Sequence, residues 1–115
     1  MPLVVACRKP GKITDEIWKQ LLQELPRIVA GAFSVPGTEG ELTATDIEIW
    51  AQDGGSFDVN TKDVEIVIWA HDYPRRKADL DKRRKEVVMG VLRMIPGDTH
   101  GFVWILLQPT SFGEF

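Results

Sequence analysis

Asp63-Val64-Glu65-Ile66-Val67-Ile68-Trp69-Ala70-His71, running into Asp72-Tyr73-Pro74-Arg75-Arg76-Lys77-Ala78-Asp79-Leu80, is the stretch whose reading decides the fold. Val64, Ile66, Ile68 and Ala70 alternate with Glu65, Val67, Trp69 and His71, the two-residue period of a strand. A proline-containing loop, Asp72 to Arg76, then leads to a helix beginning near Ala78 or Asp79. Its inner face is expected to be Leu80, Val87, Val88, Val91, Leu92 and Ile95, with the basic residues outside. Pro96-Gly97 ends it, and Phe102 to Leu107 is a strand that is apolar at every position.

Upstream, the same order is repeated. Leu3 to Cys7 is a short β-branched apolar run, and Arg8-Lys9-Pro10-Gly11-Lys12 is a loop. Thr14 supplies an N-cap, and Asp15 and Glu16 suit the positive end of a helix dipole. Ile17, Trp18, Leu21, Leu22, Leu25, Ile28, Val29, Ala32 and Phe33 recur at helical spacing, with Pro26 expected to kink the helix near Leu22. Pro36-Gly37 stops it, and Asp46 to Ala51 alternates as a strand.

The chain therefore reads as strand-helix-strand twice, about 1–57 and 58–115, in one domain of 115 residues. The expected class is α/β (α+β), with a four-stranded mixed sheet and two helices on one face. Two helices cover one face only. Yet the last strand is apolar on both sides, and Val67 and Trp69 oppose the aliphatic row of the third. The open face is expected to meet another subunit, in a barrel or trimer of sheets.

Hydrophobic residues at 43% and charged ones at 27% exclude a disordered or collagen-like chain. The absence of a long apolar run argues against a membrane span, and the early Arg8 against a signal peptide, so a cytoplasmic address is expected. Cys7 has no partner for a disulfide or zinc site. No Walker loop, dinucleotide fingerprint, HExxH or Gly-x-Ser-x-Gly occurs, so neither cofactor nor metal is expected. Residues 75–86 hold seven Lys/Arg against three Asp/Glu, a basic stripe on a chain of net charge -3.

Pro2 is the first residue that invites chemistry. Removal of a methionine before proline would expose a secondary amine at the head of a strand. Apolar surroundings and nearby cations lower the pKa of such an amine toward neutrality, where it serves as a base beside a carbonyl.

The segment His71 to Leu80 resembles the strand-loop-helix segment of the tautomerase superfamily, the fold of 4-oxalocrotonate tautomerase and macrophage migration inhibitory factor. Arg76-Lys77-Ala78-Asp79-Leu80 is similar to the loop of its cis-3-chloroacrylic acid dehalogenase-like subgroup, and Gly11-Lys12-Ile13-Thr14-Asp15-Glu16 echoes it with Lys12 in the arginine's place. The resemblance implies a homotrimer in which Pro2 and Arg76 are catalytic, on a small carboxylate substrate of the 2-oxo acid or enol kind. Arg76 would bind the carboxylate by paired hydrogen bonds. Arg75 and Lys12, from the matching loop positions, would assist in binding. Residue type, apart from the resemblance, makes Tyr73 a candidate hydrogen-bond donor to substrate and Trp104 and Phe112 candidate pocket walls. Departures bear on the reaction: Val29 stands where the subgroup has a histidine, Leu106 or a nearby aliphatic where it has a tyrosine, and Asp72 or Tyr73 where it has a second arginine. Haloacrylate hydration thus lacks its water-activating groups, and keto-enol proton transfer is the expected activity. The other expectation is a non-catalytic binding or structural module of ferredoxin-like or tautomerase fold. The basic stripe on a helix and the missing RNA-binding signature in the third strand argue against nucleic acid.

Overall fold

The structure is a computed structural model describing residues 2–115. Its elements are β1 (Leu3–Arg8), α1 (Asp15–Phe33), a 3-10 turn (Ala44–Asp46), β2 (Glu48–Asp53), β3 (Val64–His71), α2 (Pro74–Ala78), α3 (Leu80–Leu92) and β4 (Gly101–Gln108). They form one sheet in the order β2-β1-β3-β4. The central pair is antiparallel, with Leu3 opposite Trp69, and each outer strand runs parallel to its neighbour.

Thr14 caps α1 as expected, its Oγ1 accepting from the Ile17 N–H, and the helix continues through Pro26 to Phe33. Trp18, Leu21, Leu25, Val29 and Phe33 of α1 pack against Val4, Ala6, Ile66, Ile68 and Ala70 of the sheet. Each fully buried aliphatic or aromatic side chain contributes about 1.5–3 kcal/mol, so this single layer of contact dominates stability.

Two element boundaries and one burial differ from the sequence reading. The second helical segment starts at Pro74, whose fixed φ suits a first-turn position, and breaks at Asp79, where φ is -126° and ψ 35°. Asp46 is held in the 3-10 turn by accepting the Thr43 N–H at 2.8 Å, so β2 starts at Glu48. Leu92, expected inside, is half exposed, while Val87 and Val91 face the core.

All helices lie on one side. The opposite face carries the row Trp50, Val5, Val67 and Trp104, with Leu3, Trp69, Phe102 and Leu106 beside it. Trp50 remains 58% exposed and Trp104 50%, so the apolar face inferred from the sequence is uncovered in the single chain. No described helix is long and apolar enough to cross a membrane.

Gly101 begins β4 because its partner strand comes close: a Cβ there would lie 2.3 Å from the Val64 carbonyl oxygen. Gly101→Ala is expected to destabilise the fold by on the order of 2 kcal/mol in urea unfolding. An unchanged midpoint would mean that the two strands separate freely at this end.

Candidate active site at the start of the central strand

Because β1 and β3 run antiparallel, the head of β1 lies beside the end of β3 and the loop that follows it. Pro2 sits there fully buried, and its carbonyl accepts the Glu48 N–H at 3.2 Å. Extending the register by one residue sets Pro2 beside Ala70, next to His71. Met1 lies outside the described residues, as therefore does the question of its removal.

Arg76 is 2% exposed. Its Nε donates to the Phe33 carbonyl at 2.8 Å, Nη1 to that of His71 at 3.1 Å and Nη2 to that of Gly40 at 3.3 Å. The Tyr73 ring lies 4.8 Å from the guanidinium carbon. Burial pulls the Arg76 pKa below its ordinary value, opposed by Tyr73 and assisted by Arg83. The expectation of a carboxylate clamp is corrected here. A guanidinium closed to solvent and engaged by three carbonyls ties α1, the residue 38–41 loop and β3 together, and presents no open fork to a substrate.

The reason lies in α1, which has no basic residue in its own last turn. Arg83 reinforces the same helix end, with Nη1 donating to the carbonyls of Ala32 at 3.0 Å and Ser34 at 3.1 Å and Nε to Asp79 at 2.6 Å. Two cations from the second half thus complement the negative end of the α1 dipole. The hydrogen bond from Arg83 also holds the Asp79 carboxyl below the usual carboxylate range. The stripe expected to lie outside therefore turns two of its members inward.

Arg75 is exposed and forms no ion pair among the described residues. Tyr73 is half-buried, edge-on to His71 with ring centres 4.7 Å apart. Phe112 is 73% exposed in the segment after β4. That segment is fastened where the Thr110 N–H donates to His71 Nδ1 at 3.1 Å, a link that no local pattern around Thr110 announces. Pro2, Tyr73, Arg75 and Arg76 are thus brought to one end of the sheet, with the Phe112 segment anchored beside them.

Lys12 and Trp104 do not join them within the chain. Lys12 follows the other end of β1 and pairs with Asp98 at 3.3 Å. Trp104 stands four residues before the end of β4, about 13 Å along the strand, and its Nε1 donates to Glu65 at 3.2 Å. At the Lys12 end, Arg8 binds Asp15 and Asp53, each at 2.6 Å. A cavity of about 390 Å³ beside it is lined by Cys7, Lys9, Gln52, Asp58 and Lys62. Burial, then Glu65 and Asp58, push the Cys7 thiol pKa up, which keeps it protonated and a poor nucleophile.

No protein-family model matches the chain, and no curated protein matches its sequence. Solved structures do. A macrophage migration inhibitory factor-like protein from Entamoeba histolytica superposes with TM-score 0.61 at 15% identity, covering 96% of this chain and 89% of its own. Pt0534, solved after inactivation by 2-oxo-3-pentynoate, gives 0.64 at 14% identity over 93% and 86%. A fused 4-OT solved as an asymmetric trimer gives 0.60 at 18% identity over 97% and 91%. The chain has the tautomerase fold.

Proposed function

We propose that this chain works as a homotrimer that catalyses keto-enol proton transfer on a small 2-oxo acid, with the amine of Pro2 as the base. The observation that supports this most is the place of Pro2: it heads a central strand of a tautomerase fold, at the sheet end that also carries the exposed Arg75. In ketonisation, the Pro2 nitrogen takes the enol hydroxyl proton, and the resulting ammonium returns a proton to the carbon of the double bond. The buried surroundings of Pro2 favour the neutral amine, the form that accepts the first proton. Arg75 is the proposed carboxylate-binding residue, and Tyr73 and the Phe112 segment border the substrate. Arg76 is assigned a positioning role through the three carbonyls it holds. Lys12 and Trp104 can border this substrate only from a neighbouring copy. The trimer reading rests on the uncovered apolar face and on the trimeric state of the fused 4-OT structure. The kinship with the dehalogenase-like subgroup rests on the Arg76-to-Leu80 loop alone.

Purified chain lacking Met1 is expected to ketonise phenylenolpyruvate well above the buffer rate, followed by loss of enol absorbance. A second reading, a trimer without catalysis, is favoured by one observation: Pro2 is closed from solvent in the single chain. Buffer-rate ketonisation by a folded trimer with a free Pro2 amine would overturn the first reading and leave the second.

A further inference from the structure

His71 ends β3 beside the head of β1, with its side chain on the open face in step with Glu65, Val67 and Trp69. Pro2 lies beside Ala70 by extension of the register, so His71 stands one strand step away, about 6 Å between Cα atoms. Its two ring nitrogens are used unequally. Nδ1 lies 3.1 Å from the main-chain nitrogen of Thr110, whose N–H can only donate, so Nδ1 accepts and carries no proton. The Thr110 hydroxyl, 2.9 Å from the same nitrogen, has a second acceptor in the Gln108 carbonyl at 3.3 Å. The ring proton is therefore on Nε2. Among the described residues no group accepts it. Tyr73 stands edge-on to the ring at 4.7 Å, and Arg76 donates to the His71 carbonyl at 3.1 Å, which fixes the main chain beneath. An anchor for the last segment needs one nitrogen only. The second is a held donor at the end of the sheet that carries Pro2.

We infer that His71 donates its Nε2–H to the 2-oxo oxygen of the substrate, so that the site selects acids with an acceptor oxygen next to the carboxylate. The inference rests on the keto-enol reading and adds a second group to its chemistry. As Pro2 takes the enol hydroxyl proton, negative charge gathers on that oxygen, and a donor fixed in advance stabilises it without reorganisation. When the ammonium returns a proton to carbon, the oxygen becomes a carbonyl and remains an acceptor. The Nε2 proton stays on the imidazole throughout, so the transfer balances between oxygen, Pro2 and carbon. Arg75 keeps the carboxylate. His71 thus serves as a hydrogen-bond donor to the reacting oxygen, and Thr110 positions it by deciding which nitrogen holds the proton.

Two substitutions separate the two nitrogens. In His71→Asn the side-chain oxygen takes the place of Nδ1, so Thr110 keeps its acceptor and the substrate loses its donor. In His71→Gln the amide reaches the place of Nε2, so the donor is kept and Thr110 loses its acceptor. His71→Asn is expected to lower kcat for phenylenolpyruvate on the order of 10²-fold with KM little changed, as loss of a donor to developing charge does. Hydrogen exchange at the Thr110 amide should stay slow in that variant. His71→Gln is expected to keep kcat within about tenfold of wild type, although exchange at Thr110 becomes fast. Activity that follows Thr110 protection instead, or that is the same in both variants, would reduce His71 to an anchor and overturn the inference. Phenylglyoxylate, a 2-oxo acid with no enolisable hydrogen, separates this from failure of the keto-enol reading. It is expected to shift the His71 Nε2 nitrogen resonance of the wild-type chain. That shift in a chain that does not ketonise would remove the catalytic reading and leave the contact standing. No shift at saturating phenylglyoxylate, or no binding of it, would overturn the contact.

Discussion

Replacing Pro2 by alanine is expected to reduce phenylenolpyruvate ketonisation by about 10²–10⁴-fold, the usual contribution of a positioned acid-base group. The proline ring fixes the direction of its nitrogen, because φ is locked and the ring is packed among buried side chains. Alanine leaves a primary amine that rotates, with a cavity in place of the ring. The assembly should survive, since the tie between Pro2 and Glu48 uses a main-chain carbonyl that alanine retains. An N-terminal extension should have at least as large an effect, because it turns the amine into an amide with no usable lone pair. Wild-type rates in the extended protein would dismiss Pro2 as the base.

The second large effect falls on stability. Arg76→Met removes the donors to the carbonyls of Phe33, His71 and Gly40 in a site only 2% exposed. Each of these is a charge-assisted bond, and leaving buried acceptors unpaired costs more than the bond's net worth. A loss of about 3–5 kcal/mol is expected in urea unfolding, as when a buried polar network loses its central member. Arg76→Lys should recover part of it, since an ammonium keeps the charge but cannot span three directions with a planar fork. Arg75→Met, by contrast, should leave stability within about 0.5 kcal/mol and raise KM. An Arg76→Met protein of wild-type stability with a raised KM would show that the guanidinium faces substrate after all.

These two arginines show where sequence reading stopped. The strand Val64–His71 was legible because a half-buried strand imposes alternation, and α1 was legible from Thr14 and its apolar period. Arg76 was placed in the right loop, but nothing local announces that α1 ends with no cation of its own and draws one from 43 residues away. Lys12 lies away from Arg76 within the chain for a topological reason. Its loop resembles that of Arg76, but the antiparallel central pair sends the loop after β1 and the loop after β3 to opposite ends of the sheet. Similar loops in the two halves therefore cannot serve one site within one chain. The residue type of Trp104 suits a pocket wall, and its register opposite Val67 sets it in the middle of the open face, away from Pro2 of its own chain. The uncovered face itself was legible, since strand alternation alone assigns Trp69 and Trp104 to it.

Covalent labelling tests the role of Pro2 most directly. In 2-oxo-3-pentynoate the alkyne is conjugated to a carbonyl, so an amine nitrogen adds across the triple bond, its proton passing to the adjacent carbon with no group expelled. Intact-mass measurement followed by peptide mapping should show a gain of one reagent per chain, on the peptide that begins with Pro2, in parallel with loss of ketonisation. An unmodified Pro2 in active protein, or inactivation by modification of Cys7 alone, would contradict the assignment of Pro2 as the base.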